Sequence, residues 1–124
     1  MGDHIYYARY LDLLEKARNE LFRESGKTLL AWQQEGIIFP VIECHLRYRS
    51  PARYDDLLSI ELWITQLQGV RITFACRILN QLNELVLEGG TAHVCTGHDQ
   101  KLRRLPPALK ELLERYLREE TAEK

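Results

Sequence analysis

The apolar positions near the start of the chain repeat with the period of an α-helix. Between residues 7 and 24 they recur at spacings of three and four, at Tyr10, Leu11, Leu14, Ala17, Leu21 and Phe22. Side chains at these spacings share one face of a helix, so the pattern predicts a core-facing helix of roughly four to five turns that ends near Gly26. The residues assigned to its solvent side are Asp12, Glu15, Lys16, Arg18, Asn19 and Arg23. A short second helical segment is predicted over residues 28–34.

After Gly36 the period of the pattern changes to two, as in half-buried strands. Strands are predicted over residues 39–48, 58–65, 71–78 and 85–96, the second and third joined as a hairpin around Gly69. Paired glycines inside a strand are typical of a bulge or strong bend, which we expect at Gly89-Gly90. Pro106-Pro107 opens a terminal helix. The connections are too short for crossover helices, so the fold class is α+β with an antiparallel sheet.

The composition fits a single domain over residues 1–124. Apolar residues make up 45% of the chain and charged residues 28%, which is ordinary for a domain with its own core. The formal net charge of −1 offers no basic field, so we expect no nucleic-acid partner. No apolar run approaches the length of a membrane span, and we expect none.

The cysteine and histidine pattern argues against disulfide and metal chemistry. Cys44, Cys76 and Cys95 are an odd number without CxxC spacing, so we expect a reducing, cytoplasmic location. His45 and His93, which the strand pattern places on polar faces, lack partners at metal-ligand spacing, so no zinc site is predicted. The chain also lacks a GxSxG motif and a glycine-rich phosphate loop, and no cofactor is expected.

Four segments together resemble a known family. They are Gly2–Gly26, Gly36-Ile37-Ile38-Phe39-Pro40-Val41, the turn Tyr48–Asp56, and Leu105-Pro106-Pro107. In order and spacing they are similar to the 4-hydroxybenzoyl-CoA thioesterase family of hot-dog proteins, closest to a short bacterial branch associated with the Tol–Pal system. The resemblance implies a curled sheet wrapped around one long helix, with active sites between the subunits of a homodimer or homotetramer. It also implies hydrolysis of an acyl-CoA or acyl-carrier thioester to a carboxylic acid.

The chain departs from the family pattern at its start. Relatives have a strand before the helix, ending in a catalytic Asp four residues before the position of His4, which here falls one place before Met1. Asp3 also stands where relatives carry Gly. Three explanations remain open. The chain is a short product of a longer gene, without the first strand; Asp3 does the work of the acid from a shifted position; or the protein is a non-catalytic acyl-thioester-binding or scaffold protein.

Thioester hydrolysis needs a carboxylate and donors for the oxyanion. The resemblance aligns the Tyr7 amide with the oxyanion-hole position of the family, and unpaired N–H groups at a helix start suit that role. Asp3 is the candidate base, although Asp is also a preferred N-cap residue. His4 is a candidate proton carrier, or a partly exposed histidine without a chemical role. Glu15 is a second carboxylate to consider, more simply read as solvated or interfacial.

Arginine side chains are the candidates for binding the phosphates of CoA, because a guanidinium contacts phosphate in bidentate geometry. The candidates chosen are Arg49, Arg53, Arg103 and Arg104. Most other basic residues are expected to be ordinary surface charge.

Overall fold

The computed structural model describes residues 7–53 and 55–118, with Tyr7 and Ala8 as backbone only. Its elements are α1 (Tyr7–Ser25), α2 (Leu29–Gln34), β1 (Val41–Tyr48), β2 (Ser59–Gln68), β3 (Arg71–Leu79), β4 (Leu85–Val94) and α3 (Pro107–Leu113), followed by a 3₁₀ turn (Glu114–Tyr116). The strands form one antiparallel sheet in the order β1-β4-β3-β2. The predicted α+β order of a long helix, four antiparallel strands and a terminal helix is confirmed.

Helix α1 packs against one face of this sheet, called here the inner face. Its buried side chains Tyr10, Leu14, Leu21 and Phe22 follow the predicted stripe. Because Tyr10 contacts Tyr48 at the end of β1 and Phe22 contacts Phe39 just before β1, α1 runs antiparallel to that strand.

The core has two buried clusters along α1. The first half of the helix packs with Ala52, Cys76, Ile78, Val86 and Leu87. The second half packs with Trp32, Ile64, Ile72, Phe74, Cys95, Leu105, Leu109 and Leu113. Leu109 and Leu113 come from α3, so the terminal helix closes this end of the core as its spacing predicts.

The predicted hairpin between β2 and β3 is confirmed. Gly69, in the turn, has φ +64°, a left-handed conformation that glycine adopts without strain. A register shift between Ile64 and Gln66 changes the alternation within β2, so Ile64 and Leu67 are both buried.

The predicted bulge at Gly89-Gly90 is wrong. The pairing of β4 with β1 and β3 continues through both glycines, and the register shifts lie between residues 41 and 43, 64 and 66, and 78 and 79. A Cβ at Gly89 would lie 2.2 Å from the carbonyl oxygen of His45, and one at Gly90 would lie 2.2 Å from that of Phe74. Glycine is required because the neighbouring backbones approach too closely for any side chain.

Within residues 7–53 and 55–118, strand β1 lies at an edge of the sheet and its apolar face is not covered. Its alternation predicted one buried face, but Val41, Ile42 and Tyr48 are 55%, 48% and 49% exposed. The inner-face side chains of β1 therefore form an accessible apolar strip beside α1. Such an open edge also presents unpaired backbone groups to another chain.

The opposite edge of the sheet is β2. Leu117 forms a parallel bridge with Ile64, and the backbone N–H of Arg118 donates to the Ile64 carbonyl at 2.8 Å. The Arg118 guanidinium lies 5.0 Å from the centre of the Trp63 ring on the outer face. Within residues 7–53 and 55–118, β3 is the only strand that pairs with β2. The bridge to Leu117 is the backbone pairing at the other edge of β2.

Candidate active site

The start of α1 is the structural feature on which the sequence-predicted chemistry depends. The described part of α1 begins at Tyr7, and the family resemblance predicts that the Tyr7 amide lies in the first turn, where N–H groups have no partner within the helix. These groups and the helix dipole favour negative charge at this position. Asp3 and His4 lie outside the described residues, so their roles stay predictions.

A tyrosine of α1 contacts a tyrosine at the end of β1. The buried ring of Tyr10 meets Tyr48 edge-to-face with centroids 5.5 Å apart. Burial raises the pKa of Tyr10, and the Tyr48 hydroxyl and the Asp56 carboxylate raise it further. Tyr10 therefore stays protonated at neutral pH and acts here as a packing residue for the helix start.

The sequence pattern predicted Arg18 on the solvent side of α1, and this prediction is wrong. Arg18 is four residues after Leu14 and four residues before Phe22, so it shares a helix face with these two buried side chains. Only a minority of the surface of Arg18 is itself exposed. Burial lowers the pKa of Arg18, an effect that the Glu15 carboxylate partly offsets. The spacing of four from Leu14 and Phe22 indicated a position facing the core. Arg18 was predicted on the solvent side because its side chain is charged.

A cleft separates this part of α1 from the sheet. Its cavity volume is about 10 Å³, and about 230 Å³ when the open solvent at its mouth is included; it is lined by Leu14, Arg18, Leu62, Phe74, Cys76, Gly90 and Thr91. Gly90 contributes no side chain to the cleft. Because burial raises the pKa of the Cys76 thiol to about 11, this thiol is neutral. Arg18 is therefore the charged group in an otherwise neutral lining.

His93 lies inside the core, which corrects its predicted place on a polar strand face. It is 1% exposed, with Nδ1 3.0 Å from the Phe39 carbonyl oxygen and Nε2 2.9 Å from the Thr91 hydroxyl. Burial lowers its pKa and the charge of Arg18 lowers it further, against the opposing effect of the Phe39 carbonyl. Since a carbonyl only accepts, neutral His93 donates from Nδ1 and accepts from Thr91 at Nε2.

The four candidate CoA-binding arginines form two pairs. Arg49 is bound to Glu88, its Nε donating to Oε2 at 2.7 Å, and it lies with Arg53 just beyond the end of β1. Arg103 and Arg104 follow the far end of β4. Because that ten-residue strand is about 33 Å long, one chain does not bring the two pairs together.

Glu15 is exposed on α1. Among residues 7–53 and 55–118, no group of three or more His, Cys, Asp and Glu side chains is arranged to hold a metal ion. The helices in this part of the chain are all too short or too polar to cross a membrane.

Comparison with known proteins identifies the family. Residues 1–115 match the family model described as the thioesterase-like superfamily. The chain belongs to this family. It is similar to the acyl-CoA thioester hydrolase YbgC of Escherichia coli O6:H1, with 34% identity over 109 residues, 87% of this chain and 81% of that protein. It is also similar to the acyl-CoA thioesterase YbgC of Haemophilus influenzae, with 35% identity over 96 residues, 75% of this chain and 68% of that protein.

Solved structures give the same result for the fold. A DHNA-CoA thioesterase from Staphylococcus aureus superposes with a TM-score of 0.84 at 25% identity, covering 91% of this chain and 78% of that one. A hypothetical protein from Thermus thermophilus superposes with a TM-score of 0.85 at 24% identity, covering 92% of this chain and 87% of that one. The hot-dog fold predicted from the sequence motifs is confirmed.

The buried neutral His93 makes stability depend on pH. The folded protein binds its proton less readily than the unfolded chain does, so this contribution is present above the ordinary pKa of 6.5 and is lost as the pH falls through the lower folded value. We expect the difference in unfolding free energy between wild type and His93→Gln to shrink from pH 8 to about pH 5. Urea denaturation at both pH values measures it. An equal difference at the two pH values would contradict this assignment.

Proposed function

We propose that the chain hydrolyses acyl-CoA thioesters to a carboxylic acid and free CoA, using the start of α1 as its oxyanion site. The observation that carries this proposal is the match to the thioesterase-like family over residues 1–115, together with a described α1 whose first residue, Tyr7, is the one that the resemblance aligns with the oxyanion-hole position. The names of the relatives, acyl-CoA thioester hydrolase and acyl-CoA thioesterase, support the substrate class.

The proposed reaction uses three groups at this position. The thioester carbonyl oxygen accepts a hydrogen bond from the Tyr7 amide, which stabilises the negative charge that develops there. Asp3 takes a proton from a water molecule, whose oxygen attacks the carbonyl carbon. The tetrahedral intermediate then collapses, the carbon–sulfur bond breaks and the CoA thiolate leaves. His4 supplies the proton that the thiolate takes up, and the proton that Asp3 took from water is passed back to His4, which restores both groups.

The charges of the arginine pairs suggest how CoA is held. Arg49 is neutralised by Glu88, whereas Arg103 and Arg104 form no ion pair or side-chain hydrogen bond within the described residues. We therefore assign the phosphate contacts first to Arg103 and Arg104. Arg49 and Arg53, at the other end of the sheet, contact a CoA molecule bound mainly by the second subunit.

The exposed edge of β1 supports a homodimer or homotetramer. A second copy pairing along this edge satisfies its backbone groups and covers Val41 and Ile42. The free thiols of Cys44, Cys76 and Cys95 fit the cytoplasm as the location of this assembly.

The oxyanion assignment predicts different effects from two substitutions of Tyr7. Tyr7→Pro removes the amide N–H, while proline is well tolerated at the first position of a helix. We expect kcat for acyl-CoA hydrolysis to fall about 100- to 1,000-fold. Tyr7→Ala keeps the amide and should stay within about 3-fold of wild type, because the role depends on position and not on the side chain. CoA release measured with a thiol reagent gives both rates.

Two results would overturn these assignments. If Tyr7→Pro hydrolyses acyl-CoA at the wild-type rate, the oxyanion site is elsewhere. If the wild-type protein binds acyl-CoA but releases no CoA from thioesters of short, long and aromatic acids, it is an acyl-thioester-binding protein instead of a hydrolase.

The base assignment predicts that Asp3→Asn lowers kcat by about 100-fold or more with little change in KM. Asn caps a helix nearly as well as Asp, so the melting temperature should barely change. Glu15→Gln, the matched change at the exposed carboxylate of α1, should leave kcat near the wild-type value. Retention of more than about half of the activity by Asp3→Asn, with a loss in Glu15→Gln, would transfer the role to Glu15.

A further inference from the structure

Arg18 occupies a position where the packing of α1 calls for an apolar residue. Tyr10, Leu14 and Phe22 are the other members of this row, spaced by four, and each is at most 5% exposed. A charge in such a row is unfavourable unless an opposite charge or hydrogen-bond acceptors compensate it. A charge that the chain compensates only in part, on a side chain that stays partly exposed, is available to bind an anionic group from outside the chain.

The described residues compensate the charge of Arg18 only in part. Among them no hydrogen bond or ion pair to the Arg18 guanidinium is found, and the Glu15 carboxylate, one turn earlier, is exposed and interacts only through its field. The Thr91 hydroxyl, which lines the same cleft, is already used by His93. The neighbouring Cys76 thiol is neutral.

The cleft beneath Arg18 connects with the apolar strip of β1. Thr91, in the cleft wall, pairs directly with exposed Cys44 on β1, and directly paired side chains share a face of the sheet. Leu46 and Tyr48 follow on the same face, and Tyr48 contacts Tyr10 below the start of α1. Side chains of β1 on this face therefore lie between the start of the described α1 and the strand that carries Thr91 beside Arg18, and they offer an apolar path along the surface.

The length of this path is set by the helix. Arg18 is eleven positions after Tyr7, which is about 16.5 Å along the axis. The arginine side chain leans back toward the helix N-terminus and shortens the distance. An extended chain advances about 1.2 Å per bond, so a chain of roughly eight to ten carbons spans the path.

We propose that Arg18 selects acyl groups of roughly eight to ten carbons that end in a carboxylate, that is, the mono-CoA thioesters of α,ω-dicarboxylic acids. The guanidinium binds the distal carboxylate in bidentate geometry while the methylene chain lies along the apolar strip. The inference rests on the proposed hydrolase function for the position of the thioester, but the binding of the distal carboxylate requires no hydrolysis.

Binding of free acids tests the carboxylate subsite alone. Sebacate and its dimethyl ester, which has no carboxylate, are titrated into the full chain, wild type and Arg18→Met, with amide chemical shifts as the readout. We expect wild type to bind sebacate at least about 10-fold more tightly than the ester, and Arg18→Met to lose this preference. Lys16→Met, a matched change at an exposed position of the same helix, should keep it. Equal affinities in wild type, or a preference unchanged in Arg18→Met, would overturn the proposal.

Hydrolysis of sebacoyl-CoA and decanoyl-CoA separates this inference from the hydrolase proposal. The ratio of their kcat/KM values should fall at least about 10-fold in Arg18→Met. If both are hydrolysed with the same ratio in the two proteins, the Arg18 proposal fails and the hydrolase proposal stands. If neither is hydrolysed while sebacate binding still depends on Arg18, the hydrolase proposal fails and the subsite stands. If Arg18→Met does not fold, the comparison of sebacate with its ester in wild type decides.

Discussion

The structure depends on one packing interaction, the apolar row of α1 against the inner face of the sheet. Tyr10, Leu14 and Phe22 are buried in it, and the two core clusters are arranged along it. Burial of this row fixes the direction of α1 relative to β1 and thereby the place where its first amides stand. The candidate chemistry is thus a consequence of core packing, because the Tyr7 amide is held by the same contacts that stabilise the fold.

Two polar groups interrupt this core, and each has a different relation to it. His93 is satisfied within the chain by the Phe39 carbonyl and the Thr91 hydroxyl, so it is a structural residue in its neutral form. Arg18 keeps its charge beside a neutral cleft without a hydrogen-bonding partner in the described residues. The first contributes to the stability of the fold, and the second is the group for which we propose an anionic ligand.

Local patterns in the sequence were sufficient for the elements and the family. The spacing of Leu14, Ala17 and Leu21 predicted α1, and Gly69 predicted the hairpin, because both signals are short-range. Features that depend on neighbouring strands were missed. The close backbones at Gly89 and Gly90 are contacts across the sheet, and a one-residue change of face decides whether His93 is buried.

The candidate site shows the same difference between short-range features, which the sequence predicts, and features that depend on distant parts of the chain. The helix of which Tyr7–Ser25 is described could be predicted from the chain, whereas the separation of Arg49 from Arg103 is a property of the length and direction of β4. To predict that Arg18 faces the core, its spacing from Leu14 and Phe22 must count for more than its charge. Charged side chains are seldom buried, so composition alone does not justify that choice. The alternation of β1 predicted one buried face. The exposure of that face follows from the position of β1 at an edge of the described sheet.

The most direct test of the account is where a thioester carbonyl binds. A ketone analogue of decanoyl-CoA, with a methylene group between sulfur and carbonyl, cannot be hydrolysed and keeps the oxygen that the oxyanion site should receive. Titrated into ¹⁵N-labelled protein, it should shift the Tyr7 amide resonance downfield, because that amide donates to the ketone oxygen. A saturable complex in which the Tyr7 amide does not move would contradict the placement of the active site at the start of α1.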